Sequence, residues 1–136
     1  MTFTRAIETL VVEDELAVQK LVDVLLRAGR PGEFLVQRAG SLAASERAVQ
    51  GLAPDLIVLD LELPDARGLE ALKALLRLAP GAAIVVLTAT DDEALALEAI
   101  RLGAEDWLHK DADLARALPR AVQFAVARKR TWRRED

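Results

Sequence analysis

The chain has 136 residues, 52% hydrophobic and 29% charged, a normal balance for one globular domain. Its formal net charge of −4 argues against general nucleic-acid binding, and the lack of cysteine excludes disulfides and thiolate metal sites while fitting a reducing compartment. No apolar stretch approaches the roughly 20 residues that cross a bilayer, and Met1–Arg5 carries no leader-like apolar segment, so a cytoplasmic location is expected.

Ile7 to Val12 reads as a first strand ending at Glu13-Asp14-Glu15. Val18, Leu21, Val22 and Leu25 recur at helical spacing, with Gly29 as the stop and a turn over Arg30 to Glu33. Phe34 to Ala39 is a second strand. Ser41 is a good N-cap for a helix running to about Gly51. Leu56 to Leu59 is a short run of branched apolar residues with Asp60 at its carboxyl end, bounded by Pro54-Asp55 and by Pro64, Asp65 and Gly68, which suits a strand buried on both faces.

Leu72, Leu75, Leu76 and Ala79 mark a helix over Leu69 to Leu78, stopped by Pro80-Gly81. Ala83 to Leu87 is a fourth strand ending at Thr88-Ala89-Thr90. Asp91 is expected to cap the next helix, with Asp92 and Glu93 in its first turn, Ala96, Ala99 and Ile100 facing the core, and Leu95 and Leu102 off that stripe. Asp106 to His109 is a short fifth strand, with His109 beside Trp107 near the surface, followed by Lys110. The last helix runs from Asp113 on, and Pro119 either kinks it or marks its true first turn, the second being favoured. Strands alternating with helices predict an α/β fold, a five-stranded parallel sheet doubly wound with five helices.

Open α/β sheets bind ligands at the carboxyl ends of their strands. Glu13, Asp14, Asp60, Thr88 and Lys110 all stand there, so the topology gathers them on one rim. Clustered carboxylates cannot all stay ionised cheaply, and a hard divalent cation such as Mg²⁺ relieves them. Lys110 adds a compact positive charge and Thr88 a hydroxyl. Together they could stabilise a phosphoryl group moving onto Asp60. No Ser-His pair, histidine cluster or glycine-rich phosphate loop competes.

The words VVEDE (Val11 to Glu15), VLDLELPDARG (Val58 to Gly68), VLTAT (Val86 to Thr90) and GAEDWLHK (Gly103 to Lys110) resemble the receiver domains of two-component response regulators. The resemblance runs to about Arg130. It implies a flavodoxin-like sheet of strand order 2-1-3-4-5, with Asp60 as phosphoacceptor. It implies Asp14 as a direct Mg²⁺ ligand, Glu13 acting through water, and the backbone carbonyl of Glu62 completing the set with Asp60. Lys110 would hold a phosphoryl oxygen, Thr88 would move toward it, and Trp107 would be the coupled aromatic switch. The donor would be a histidine kinase or a phosphotransfer protein. The chain would catalyse only its own phosphorylation and dephosphorylation. The face of helix 4, strand 5 and helix 5 would be switched and could support a homodimer.

The family usually has Pro after this lysine, and here Asp111 follows. A cis bond before a non-proline residue costs about 2.5–4 kcal/mol, so a trans bond is expected. Residues 1–127 are expected to form the receiver. Residues 128–136, basic through Arg134, form a helix extension or the start of a linker to a missing domain. Direct nucleic-acid binding by that tail is not expected, because no recognition helix follows. Two other functions fit the residues less well. One is a Mg²⁺-dependent phosphatase suggested by Asp60-Leu61-Glu62, and the other is an interaction or dimerisation module independent of phosphorylation.

Overall fold

The apolar runs divide between two faces of a single sheet. A computed structural model describes residues 5–29 and 32–135; Met1–Thr4 of the leader reading, and Arg30 and Pro31 of the expected turn, lie outside the described residues. The strands are β1 (Ile7–Val12), β2 (Phe34–Ala39), β3 (Leu56–Asp60), β4 (Ala83–Thr88) and β5 (Asp106–His109), all parallel in the order β2-β1-β3-β4-β5. Between and after them run α1 (Leu16–Arg27), α2 (Leu42–Leu52), α3 (Glu70–Leu78), α4 (Glu93–Leu102) and α5 (Leu114–Glu135). The strand order and the doubly wound α/β class are those expected.

Successive strand side chains point to opposite faces, so an unbroken apolar run means both faces are covered. Leu10, Val12, Ile57, Leu59, Ile84 and Val86 pack with Val49, Leu72, Leu75 and Ala99 of α2, α3 and α4. Val11, Val58, Val85 and Leu87 pack with Val22 and Leu26 of α1 and with Leu118 and Val122 of α5. Each such side chain, fully buried, contributes about 1.5–3 kcal/mol.

Ser41 caps α2 as expected, its Oγ accepting the Ala44 N–H at 3.1 Å. Gly103 ends α4 at φ 129°, donating to Ala99 and Ile100 carbonyls, and an added Cβ would meet Leu76 Cδ2 at 3.2 Å.

Four helix details correct the sequence reading. Leu21 is exposed, and the buried stripe of α1 is Val22 and Leu26, flanked by half-buried Val18 and Leu25. Asp92, not Asp91, caps α4, accepting the Leu95 N–H at 3.0 Å. Ile100 is 45% exposed, while Leu95, Ala99 and Leu102 face the core. The α4 sequence is apolar nearly all round, so only its seating on the sheet decides the face. Pro119 lies inside α5, because Asp113 already accepts the Arg116 and Ala117 N–H groups and starts the helix earlier.

Candidate functional site

Register places the chemistry. Val12 pairs with Leu59, so the next residues continue side by side, Asp60 as the last residue of β3 and Glu13 just past the end of β1. Asp60 pairs with Leu87 and Thr88 with His109, which sets Thr88 and then Lys110 on the same rim. The Lys110 N–H donates to the Thr88 carbonyl at 2.9 Å, fixing the loop as it leaves β5.

The Lys110 ammonium lies 3.0 and 3.1 Å from the two oxygens of Glu13 and 3.4 Å from Asp60 Oδ2. Glu13 and Asp60 are each only 2% exposed and Lys110 is half-buried, so the ammonium bridges two buried carboxyl groups. Burial first, and then the neighbouring Asp60, push the Glu13 carboxyl up to about 8, against the opposing pull of Lys110. Burial lowers the Lys110 pKa, but Glu13 and Asp60 outweigh it and the net shift is upward. The Glu13 backbone is held on both sides: its N–H donates to Ala39 O at 2.9 Å and its carbonyl accepts from Gln19 Nε2 at 2.5 Å.

Asp60 Oδ1 accepts the Glu62 N–H at 3.2 Å, folding the start of the β3–α3 loop back onto this carboxylate. The Glu62 side chain is exposed. Thr88 is fully buried, and its hydroxyl oxygen accepts the Thr90 N–H at 3.2 Å, leaving its own proton to donate. Asp14 is exposed directly after Glu13. One carboxylate oxygen from each of Glu13, Asp14 and Glu15 lies within 4.8 Å of the others. Glu15 was not among the expected residues, although the consecutive Glu-Asp-Glu was its signal.

This donor set fits a hard divalent cation. All its ligand atoms are carboxylate oxygens, and one buried member is already driven toward protonation, first by burial and then by the neighbouring Asp60.

Trp107 is half-buried against the α2/α3/α4 side of the core. It lines a cavity of about 380 Å³ with Asp91, Glu93, Ala96, His109 and Asp113. His109 Nε2 stands 3.7 Å from Asp91 Oδ1, beside Trp107 and near the surface as expected. No peptide bond among the described residues is cis, Lys110–Asp111 included. Asp111 instead turns the chain: its Oδ1 accepts the Asp113 N–H at 3.0 Å and its carbonyl accepts the Leu114 N–H at 3.1 Å, opening α5.

Among the described residues no helix is long and apolar enough to cross a membrane. The start of the basic stretch continues α5 and is tied to the domain by its side chains. Arg128 bonds Glu105 Oε2 at 3.3 Å and its carbonyl at 3.2 Å, and Arg130 lies 3.9 Å from Asp55.

Comparison with known proteins agrees with this geometry. The chain is 39% identical over 104 residues to the photosynthetic apparatus regulatory protein RegA of Rhodobacter capsulatus, covering 76% of this chain and 55% of RegA. It is 30% identical over 105 residues to the chemotaxis protein CheY of Thermotoga maritima, covering 74% of this chain and 82% of that one. A protein-glutamate methylesterase/protein-glutamine glutaminase of the same organism is 33% identical over 78% of this chain, which spans only 31% of that relative. The chain therefore spans about half of RegA and about a third of the methylesterase. The signal receiver domain of a putative Luxo repressor protein from Vibrio parahaemolyticus shares the fold, with a TM-score of 0.85 at 24% identity over 96% of this chain and 98% of that one. The response regulator receiver domain family matches residues 9–122, the span that contains the whole acidic rim and its lysine, and the chain belongs to that family.

Proposed function

We propose that this chain is a phosphorylation-controlled switch in which Asp60 accepts a phosphoryl group from a histidine kinase or a phosphotransfer protein. The observation that carries the reading is the Lys110 ammonium set within 3.4 Å of both buried carboxylates, Glu13 and Asp60. An Asp60 oxygen attacks phosphorus, the bond from phosphorus to the donor breaks, and the donor leaves with that electron pair. Water later attacks the same phosphorus, releasing inorganic phosphate and restoring the carboxylate.

Receiver domains of this family generally bind Mg²⁺ at an acidic pocket. Here Glu13, Asp14, Asp60 and the Glu62 carbonyl would hold it, with Glu13 acting through water, and the ion would supply charge neutralisation to the incoming oxygens. Lys110 turns from Glu13 to a phosphoryl oxygen. Thr88 offers its hydroxyl proton to another, and Trp107 reports the resulting rearrangement. The chain catalyses only its own phosphorylation and dephosphorylation and works in the cytoplasm. We take residues 1–127 as the receiver, with 128–136 as a helix extension or the start of a linker.

The α4–β5–α5 face is the partner face. Leu97, Ile100 and Phe124 are exposed on it. One of its cavities is ringed by Asp91, Glu93 and Asp113, and a neighbouring one of about 440 Å³ carries Arg116, Arg120 and Phe124. A two-fold pairing that set one cavity against the other would oppose unlike charges. The solved NtrC4 receiver, in a beryllofluoride-activated state, is itself a dimer. This surface also sustains the second reading, an interaction module independent of phosphorylation. The test is beryllofluoride with Mg²⁺, read by tryptophan emission and light scattering. A Mg²⁺-dependent change that disappears in Asp60→Ala supports the switch. A dimer unaffected by either reagent supports the second reading.

A further inference from the structure

We propose that Asp65 is a positioning residue for phosphoryl transfer, tying the backbone that follows Asp60 to the N-terminus of α2. The proposal rests on Asp60 being the phosphoacceptor. Asp65 Oδ1 accepts the Leu42 N–H at 2.8 Å, and its Oδ2 accepts the Ala43 N–H at 3.0 Å. These residues are 23 and 22 positions away in the chain, so the contact joins two separate loops of the rim.

The helix needs this partner. The first N–H groups of a helix have no acceptor within it, and the Ser41 hydroxyl covers only that of Ala44. The positive end of the α2 dipole favours a carboxylate there. The bonds to Ala43 and Leu42 accordingly hold the Asp65 carboxyl below its ordinary pKa. The far end of the tether is firm, because Val49 seats α2 in the core.

The near end is a short, stiff loop. Asp60 Oδ1 accepts from the Glu62 N–H. Leu63 and Ala66 are buried and bridged to each other across Pro64 and Asp65. Past the turn, the Arg67 N–H donates to Glu70 Oε1 at 2.7 Å, starting α3. Between these fixed points, Asp65 provides the lateral tie. Its release lets the segment that orients the acceptor carboxylate shift against Glu13 and Lys110. Transfer demands in-line placement, and small misplacements there are costly.

A plain helix cap would stabilise α2 and do nothing else, and Ser41→Ala supplies that comparison. The whole chain is treated with acetyl phosphate and Mg²⁺, intact mass gives the phosphorylation rate, and amide exchange is followed at Glu62 and Leu42. Asp65→Ala is expected to slow phosphorylation about tenfold and speed exchange at both amides. Asp65→Asn, which keeps one oxygen acceptor, recovers most of the rate. Ser41→Ala loses thermal stability but reacts like the wild type. A wild-type rate in Asp65→Ala, or an equal slowing in Ser41→Ala, overturns the proposal. Absence of phosphorylation in the wild type overturns the assignment of Asp60 instead. In that case unchanged Glu62 exchange in Asp65→Ala separately overturns the tether.

Discussion

Lys110 stands closer to Glu13 than to the residue it is expected to serve: 3.0 Å from Glu13 Oε1, against 3.4 Å from Asp60 Oδ2. In this state the cation is held by a neighbour, and the acceptor carboxylate keeps an oxygen bonded to the Glu62 N–H. The pair makes stability depend on pH. A carboxyl whose pKa is raised by folding stabilises most at low pH, because the folded state binds the extra proton. The contribution of Glu13 is complete below its ordinary value of 4.5 and fades as pH climbs toward about 8. Urea unfolding at about pH 5 and pH 8 should show the wild type losing roughly 2–4 kcal/mol more than Glu13→Gln over that interval. The raised pKa of Lys110 plays no part there, since its contribution is lost only above 10.5.

Removing the ammonium should separate binding from transfer. In Lys110→Met no fixed cation competes for Glu13 and Asp60, so Mg²⁺ affinity should rise about three- to tenfold. Phosphorylation by acetyl phosphate should slow in the same variant. Isothermal titration and intact mass measure the two effects on one preparation.

At the opposite end of the central strand, just before β3, Asp55 is only 4% exposed. It accepts from Arg5 Nη2 at 2.8 Å and from the Glu8 N–H at 2.9 Å. Asp55→Ala leaves the Glu8 N–H without this acceptor, while the 71% exposed Arg5 returns to solvent, and should cost about 1–3 kcal/mol, read by urea unfolding. Arg130 approaches the same carboxylate at 3.9 Å, a longer contact. Arg130→Met should therefore cost at most about 1 kcal/mol. A chain ending at Ala127 should fold with only a modest loss of melting temperature, consistent with the proposed receiver boundary.

Pro119 sits in the second turn of α5, where it has no N–H for the Ala115 carbonyl. Pro119→Ala should raise stability by about 1–2 kcal/mol, less than the full cost of an interior proline because proline also restrains the unfolded chain.

Much of this was legible in the residues. Continuous branched runs such as Leu56–Leu59 declared strands covered on both faces, and the parallel topology then gathered Glu13, Asp60, Thr88 and Lys110 without any help from sequence spacing. Ser41 read correctly because its side chain acts locally. The misreadings came where several answers satisfy the local rule. Asp91 and Asp92 are equally good caps, and α4 has apolar residues on every side, so Ile100 and Leu95 exchange roles once the helix is seated. Other relationships were silent because they span distant segments. Asp55 and Asp65 look like ordinary turn residues until Arg5, Glu8, Leu42 and Ala43 are brought to them. The preference of Lys110 for Glu13 depends on burial that no motif states.

The most direct test of the central claim is intact mass after incubation with acetyl phosphate and Mg²⁺. The account predicts a gain of one phosphoryl group in the wild type, its loss when Mg²⁺ is chelated, and its loss in Asp60→Ala. A wild type that takes up no phosphoryl group, or an Asp60→Ala chain that gains one as readily, would contradict it.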